Sequence, residues 1–155
     1  MPSSKITNLP DDNRVMRHVG WNKLRRDADN DDKVIGFLPE AFQLREGEDS
    51  LSVRWIEYYT DPDDAARIRR CVLEERAARK IGAKSAFGIG RVGRIKQVCK
   101  THGASIRIVH EPKDNEPSHS GIRRLPKDDL VLLDALASEA FTEMVLNSDI
   151  PTEAI

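Results

Sequence analysis

The segment Pro117-Ser118-His119-Ser120-Gly121 sets an imidazole between two hydroxyls, next to a glycine that lets a ligand or another segment come close. Histidine exchanges protons near neutral pH, so His119 is the first candidate for acid–base or ligand-binding chemistry. Its plainer reading is a loop histidine that holds backbone carbonyls. A nucleophile working with such a base needs a serine or cysteine beside it and a third group to orient the pair. Ser52, Ser118 and Ser120 are the serines to weigh, and none stands in the strand-to-helix elbow that activates a hydrolase serine.

A second set of residue types points to a nucleotide. Arg45, Ser52 and Glu57 follow one another as an arginine, a serine and an acid. These are the types with which many ADP-ribosyl-transferring enzymes grip a dinucleotide and its ribose. Further on, Gly88, Gly90 and Gly93 spell G-x-G-x-x-G, and Glu111 lies about 20 residues downstream, where a ribose contact is expected. Gly88, Gly90, Gly93, Arg91 and Glu111 are therefore candidate ligand-binding residues. Against this, Lys84-Ser85-Ala86-Phe87 is poor in Val and Ile for a buried strand, and only one β-α-β unit follows. The glycines also suit a crowded junction between strand and helix. His18, His102, His110 and His119 lack metal-ligand spacing with one another or with a cysteine, so neither a metal nor a cofactor is expected.

The bulk numbers set limits on partners. The 155 residues carry 25 Lys and Arg against 26 Asp and Glu, a net charge of -1, without the long-range positive field of a nucleic-acid binder. A local basic face from the arginines of 67–79 and 91–96 is the remaining route to a nucleic acid. No apolar run approaches the roughly 20 residues of a membrane span, so no membrane partner is expected. Cys71 and Cys99 lack C-x-x-C spacing and the N-terminus is polar, which predicts a reduced, cytoplasmic setting.

These residues must be positioned by a small set of elements. Val15, Arg17 and Val19 alternate as a strand, with a short helix as the alternative, Val34 to Leu38 is a short apolar strand, and Leu51, Val53 and Trp55 give the clearest alternation. Helices are predicted at 61–81, 91–102 and 126–146, the first with Ala65, Ile68, Val72 and Ala77 inward and Arg67, Arg70, Arg76, Glu74 and Glu75 on a solvated face. Ser85 to Ile89 and Ser105 to His110 flank the second helix. The proline-rich loop 111–120 is long enough to cross the end of a sheet, and Ser118 to Ile122 reads as a short edge strand. The predicted fold is α+β: a single domain at 14–147 with a mixed sheet of about five strands, three main helices and one parallel β-α-β unit. A flexible N-terminal tail is expected at 1–13 and a C-terminal tail at 148–155.

Three stretches together, LPEAFQLREGEDSLSVRWIEYY, FGIGRVGRIKQVCKTHGASIRIVHEP and DNEPSHSGI, resemble a loosely defined group of small cytoplasmic bacterial proteins with no settled activity. The shared features are an A-F-x-x-R…L-S-V segment, here Ala41, Phe42, Arg45 and Leu51 to Val53, and a P-x-H-x-x-I segment, here Pro117, His119 and Ile122. The resemblance implies a bacterial origin and joins Arg45, Ser52 and His119 in one question, with no residue role attached. The leading expectation is an accessory or interaction module that acts through a protein partner, in a mobile-element, toxin–antitoxin or antiphage setting. The competing expectation is a binder or enzyme of a nucleotide-like ligand, of ADP-ribosyl-transfer type, with Arg45, Ser52 and His119 around a cleft. A nucleic-acid-binding protein is the third.

Overall fold

Along Arg14–Val19 the side chains of Val15 and Val19 lie on one face and that of Met16 on the other, and all three are buried, which marks a strand covered on both sides. In the computed structural model, which describes residues 6–151, this strand (β2) is one of nine. The others are β1 Thr7–Asn8, β3 Leu24–Asp27, β4 Lys33–Phe37, β5 Ser50–Trp55, β6 Ala86–Arg91, β7 Arg107–His110, β8 His119–Arg123 and β9 Glu143–Leu146. The helices are α1 Asp64–Ala78, α2 Val92–Thr101 and α3 Leu130–Ala135. Strands β3 and β4 form a separate hairpin; the other seven make one sheet in the order β1-β7-β8-β5-β2-β6-β9. The fold is an α+β single domain.

Helix α1 covers one face of the sheet, where Met16, Phe87 and Ile89 meet Ile56, Cys71 and Val72. The other face carries Val15, Leu51, Val53, Ile108 and Ile122 against Val92 and Ile95 of α2 and Leu132 and Leu133 of α3. Glycines in β6 make this second packing possible. A side chain at Gly90 would start 2.9 Å from the Ala140 carbonyl oxygen and 3.1 Å from Ile95, and one at Gly88 would start 3.0 Å from the Phe37 ring.

Several sequence expectations change. The sheet has seven strands rather than about five, and every neighbouring pair is antiparallel rather than mixed. Helix α2 does connect two strands of like direction, β6 and β7, but β2, β5 and β8 lie between them. Strand β8 is interior, flanked by β5 and β7, and not an edge. The loop before it folds back as a hairpin through the Lys113–Glu116 bridge, with Asn115 at φ 64, so it does not cross the sheet.

The helix expected at 126–146 ends early. After α3 a π-helical turn spans Leu136–Ala140, and Phe141 N–H donates to Leu136 at 2.9 Å. The chain then enters β9 on β6. The expected N-terminal tail lies in part outside the described residues. From Ile6 onward it is tied down, with β1 on β7, Leu9 buried and the Asp11–Asn13 carbonyls engaged by α2. Of the C-terminal tail, Arg76 grips the Asn147 and Ile150 carbonyls, and 152–155 lie outside the described residues.

One irregularity shapes the middle of the sheet. Strand β2 pairs with β6 along its whole length, from Arg14 to Val19, yet with β5 only through Val15↔Trp55 and Met16↔Arg54. Past Met16 the ladder stops although both strands run on.

Candidate functional site

A cavity of about 120 Å³ occupies the gap between β2 and β5. It is lined by Arg17 and His18 of β2, Ser52 and Arg54 of β5, Arg45 from the preceding loop and His119 of β8, with Glu75 reaching in from α1 and Arg79 from just after it. Such a space holds a few waters or one phosphate-sized group, well short of the roughly 300–1,000 Å³ that takes in a whole drug-sized ligand.

Arg45, Ser52 and His119 are thus brought together. Strand register does part of this, because His119 lies directly opposite Arg54, and Ser52 opposite Gly121. The His119 ring bridges two groups: Nδ1 lies 2.8 Å from the Glu111 carbonyl oxygen and Nε2 lies 3.2 Å from Ser52 Oγ. Since a carbonyl can only accept, Nδ1 carries the hydrogen, and Nε2 of the neutral ring presents its lone pair to the serine hydroxyl. Glu57, the acid of the ADP-ribosyl-transfer reading, is elsewhere: it accepts from the backbone and side chain of Arg14. Glu111 also has another role than the ribose contact. Its carboxylate pairs with Arg123 at 2.7 Å and Ser50 at 3.2 Å, filling the space above Gly121, and its carbonyl orients His119.

The glycine motif is held away from this cavity. Gly88 and Gly90 lie inside β6, and the N–H groups of Val92 and Gly93 donate to Asn13 and Asp11 at 2.8 and 2.9 Å. The donors that would cradle a pyrophosphate are occupied by the chain's own carbonyls. Arg91 donates to the Asp12 carbonyl. His110 and His102 likewise hold carbonyls, of Pro117 and Val98.

The arginines of α1 do not form a free basic face: Arg67 pairs with Asp64, Arg70 with Asp61, Arg76 with Asn147, and Arg79 with Glu75 and Glu116. Glu74 and Glu75, expected in solvent, are buried on Arg54. Among the described residues no helix is long and apolar enough to cross a membrane.

Of the lining residues that the sequence reading does not assign to a site, Arg17 is legible there. Arg17 falls between Val15 and Val19, on the core face of its strand, where an arginine is out of place. Its Nε donates to the Ala41 carbonyl at 2.7 Å, and another guanidinium nitrogen donates to the Ser52 carbonyl at 2.8 Å, so it spans the gap where the ladder stops. Among the described residues it has no carboxylate partner, and burial pushes its pKa down to about 10, still protonated at neutral pH. Arg45 also lacks an ion-pair partner among the described residues, and burial together with Arg45 and Arg17 lowers the nearby Lys23 ammonium. His18 lines the same gap with a buried Nε2 that has no hydrogen-bond partner among the described residues.

Burial lowers the pKa of both His18 and His119 below the ordinary 6.5, with Glu75, Arg17 and Arg79 facing the first and Lys113, Glu116 and Arg54 the second. Below 6.5 the unfolded chain binds protons that the folded chain refuses, so stability present above that pH falls as the pH drops through the folded-state values. Urea unfolding between pH 7.5 and 5, in steps of about one unit, should show this loss, flattened in His18→Gln/His119→Gln. An unchanged slope in that double variant would assign the effect to other groups.

Comparison of the chain with protein-family models, with curated proteins and with solved structures finds no match.

Proposed function

We propose that the gap between β2 and β5 binds the phosphate of a small phosphorylated ligand, nucleotide-like compounds among them, whose remaining body stays outside the cavity. The observation that carries this reading is Arg17, a guanidinium that among the described residues is hydrogen-bonded only to carbonyls and that lines the cavity together with Arg45, which has no ion-pair partner among those residues. A guanidinium withdrawn from water, with the charges of Glu48 and Glu75 near it but no carboxylate bonded to it, is costly, and an anion that enters the cavity adds direct contacts that these do not give. Guanidinium forks match phosphate oxygens in a bidentate manner, and the His18 Nε2 is a further polar atom at the wall. The small volume disfavours a dinucleotide buried whole.

The test is thermal unfolding of the full chain with inorganic phosphate, AMP and NAD as separate probes, with chloride at equal ionic strength as control. Phosphate and AMP should raise Tm with concentration. Arg45→Ala, at an exposed position, should weaken that effect by on the order of tenfold, the loss of a charge-assisted contact. No shift with millimolar phosphate or AMP would end the proposal. The second reading, a module for a protein partner, draws on apolar side chains outside the cavity lining: Ile35 of β4 and Leu130 and Val131 of α3 are each more than half exposed. An absence of any small-anion effect would turn attention there.

A further inference from the structure

We propose that Ser52 is a nucleophile activated by His119, and that the cavity turns over a small phosphate monoester. This rests on the reading of the gap as a phosphate site and adds a reaction to it. Three parts of a nucleophilic apparatus are in place: the Ser52 hydroxyl, an imidazole nitrogen 3.2 Å away, and a group behind the ring that fixes its tautomer, the Glu111 carbonyl at 2.8 Å. The third member is a backbone carbonyl where other serine nucleophiles use a carboxylate.

The scaffold around the pair is rigid. Ser52 sits between the buried Leu51 and Val53, on a strand whose far side is locked to β8. His119 is buried at 4% exposure and leads β8 from the hairpin that Glu116 closes onto Arg54. A strand nucleophile lacks the backbone N–H pair of a turn. Here Arg17, held by two carbonyls, and Arg45 take that part, as positive charge around the group being transferred.

The reaction runs in two displacements. Ser52 Oγ attacks phosphorus; the Oγ–P bond forms, the bond to the leaving alcohol oxygen breaks, and the serine proton passes to His119 Nε2. The imidazolium returns that proton to the departing alkoxide. A water then gives a proton to Nε2 and attacks the phosphoserine; the P–Oγ bond breaks, inorganic phosphate leaves, and the proton on Nε2 restores the serine hydroxyl. No oxidant, reductant or further reactant is consumed.

The experiment treats the full chain with 4-nitrophenyl phosphate, follows nitrophenolate release, and maps acid-quenched peptides for a phosphoryl group on Ser52. Release and the Ser52 ester should both appear in the wild type. They should fall to background in Ser52→Ala and drop by about 10²–10⁴-fold in His119→Gln. Ser52→Ala must retain the phosphate-induced rise in Tm, which shows that the pocket still forms. If phosphate shifts Tm but neither release nor ester exceeds the Ser52→Ala level, the nucleophile is overturned and the binding site stands. If phosphate fails to shift Tm, the binding reading itself falls. A Ser52 acetyl ester from 4-nitrophenyl acetate, without the phosphoryl ester, would overturn the phosphate assignment in favour of acyl transfer.

Discussion

Arg54→Met should remove about 3–5 kcal/mol of folding stability, because it leaves three carboxylates gathered in the protein without their shared cation. Arg54 is 3% exposed. Its Nε donates to Glu75 at 2.7 Å, one terminal nitrogen pairs with Glu74, and the other with Glu116 at 2.7 Å. Glu74 in turn accepts from Tyr59 and, at 2.7 Å, from Ser118; Arg79 bonds Glu75 at 2.8 Å and Glu116 at 3.2 Å. Two cations therefore face three carboxylates, and loss of the central one leaves like charges close together with Arg79 alone, half-exposed, to offset them. Methionine restores the volume but not the charge. Urea unfolding at pH 7 measures the loss. Adding Glu75→Gln and Glu116→Gln should restore part of it, since removing both signs costs less than removing one. The pH trend is a second readout: the deficit of Arg54→Met relative to the wild type should shrink on mild acidification, because protonation relieves the repulsion among the stranded carboxylates while the buried histidines are common to both proteins. A loss near 1 kcal/mol, or no recovery with the glutamine substitutions, would show that the carboxylates reach water well enough to need no cation. The same network bears on the cavity, because Arg54 stands opposite His119 and Glu116 closes the hairpin that leads into it.

How far the sequence discloses this arrangement depends on whether a signal is local. Strand β5 alternates clearly enough for its faces to be read, whereas the β2 segment fits a short helix as well as a strand, and the Asp63-Asp64 start of α1 and the His102-Gly103 end of α2 mark those helices within a few residues. Interior placement is another matter. Ser118, Ser120 and Gly121 make β8 look like a polar edge, and only its pairing with both β5 and β7 shows why such small residues are buried there. The 125–145 window keeps helical spacing through Leu130, Leu133, Ala137, Phe141 and Met144. A strand wins its last part because β6 offers a free edge, with Phe87 opposite Val145. No local rule contains that edge.

The site shows the same division. Arg45, Ser52 and His119 could be gathered from residue type alone. Glu57 could not be set aside without knowing that Arg14 takes it, nor the glycine motif without seeing Asp11 and Asn13 at the head of α2. Arg17 was available as a charge on an apolar strand face. Such a residue signals either a local error in pattern or a site, and here it bridges the stretch where β2 and β5 fail to pair.

Phe42→Ala tests whether the wall that carries Arg45 depends on a core residue remote from the cavity. Phe42 is fully buried, stacked on Phe141 with ring centroids 4.5 Å apart and set edge-on to Phe37 at 5.9 Å. The π-helical turn before Phe141 delivers that ring, so two irregular segments are joined by one stack. Truncation should cost about 3–5 kcal/mol, from lost apolar transfer and the cavity left between close-packed rings. The effect should extend to the site, because Phe42 ends the turn Pro39–Phe42 and the neighbouring Ala41 carbonyl accepts from Arg17 at 2.7 Å. Once the turn is loosened, Arg17 loses one of its two carbonyl anchors and Arg45 its fixed approach. Phosphate should then stabilise the variant less than the wild type, although no atom of the ring touches the cavity. Phe42→Leu, which keeps most of the volume, should recover much of both losses. Urea unfolding gives the first quantity and the phosphate-dependent Tm shift the second. A variant that loses stability but keeps the full phosphate shift would show that Arg17 and Arg45 are positioned by β2 and the 43–49 loop alone, independently of the aromatic stack.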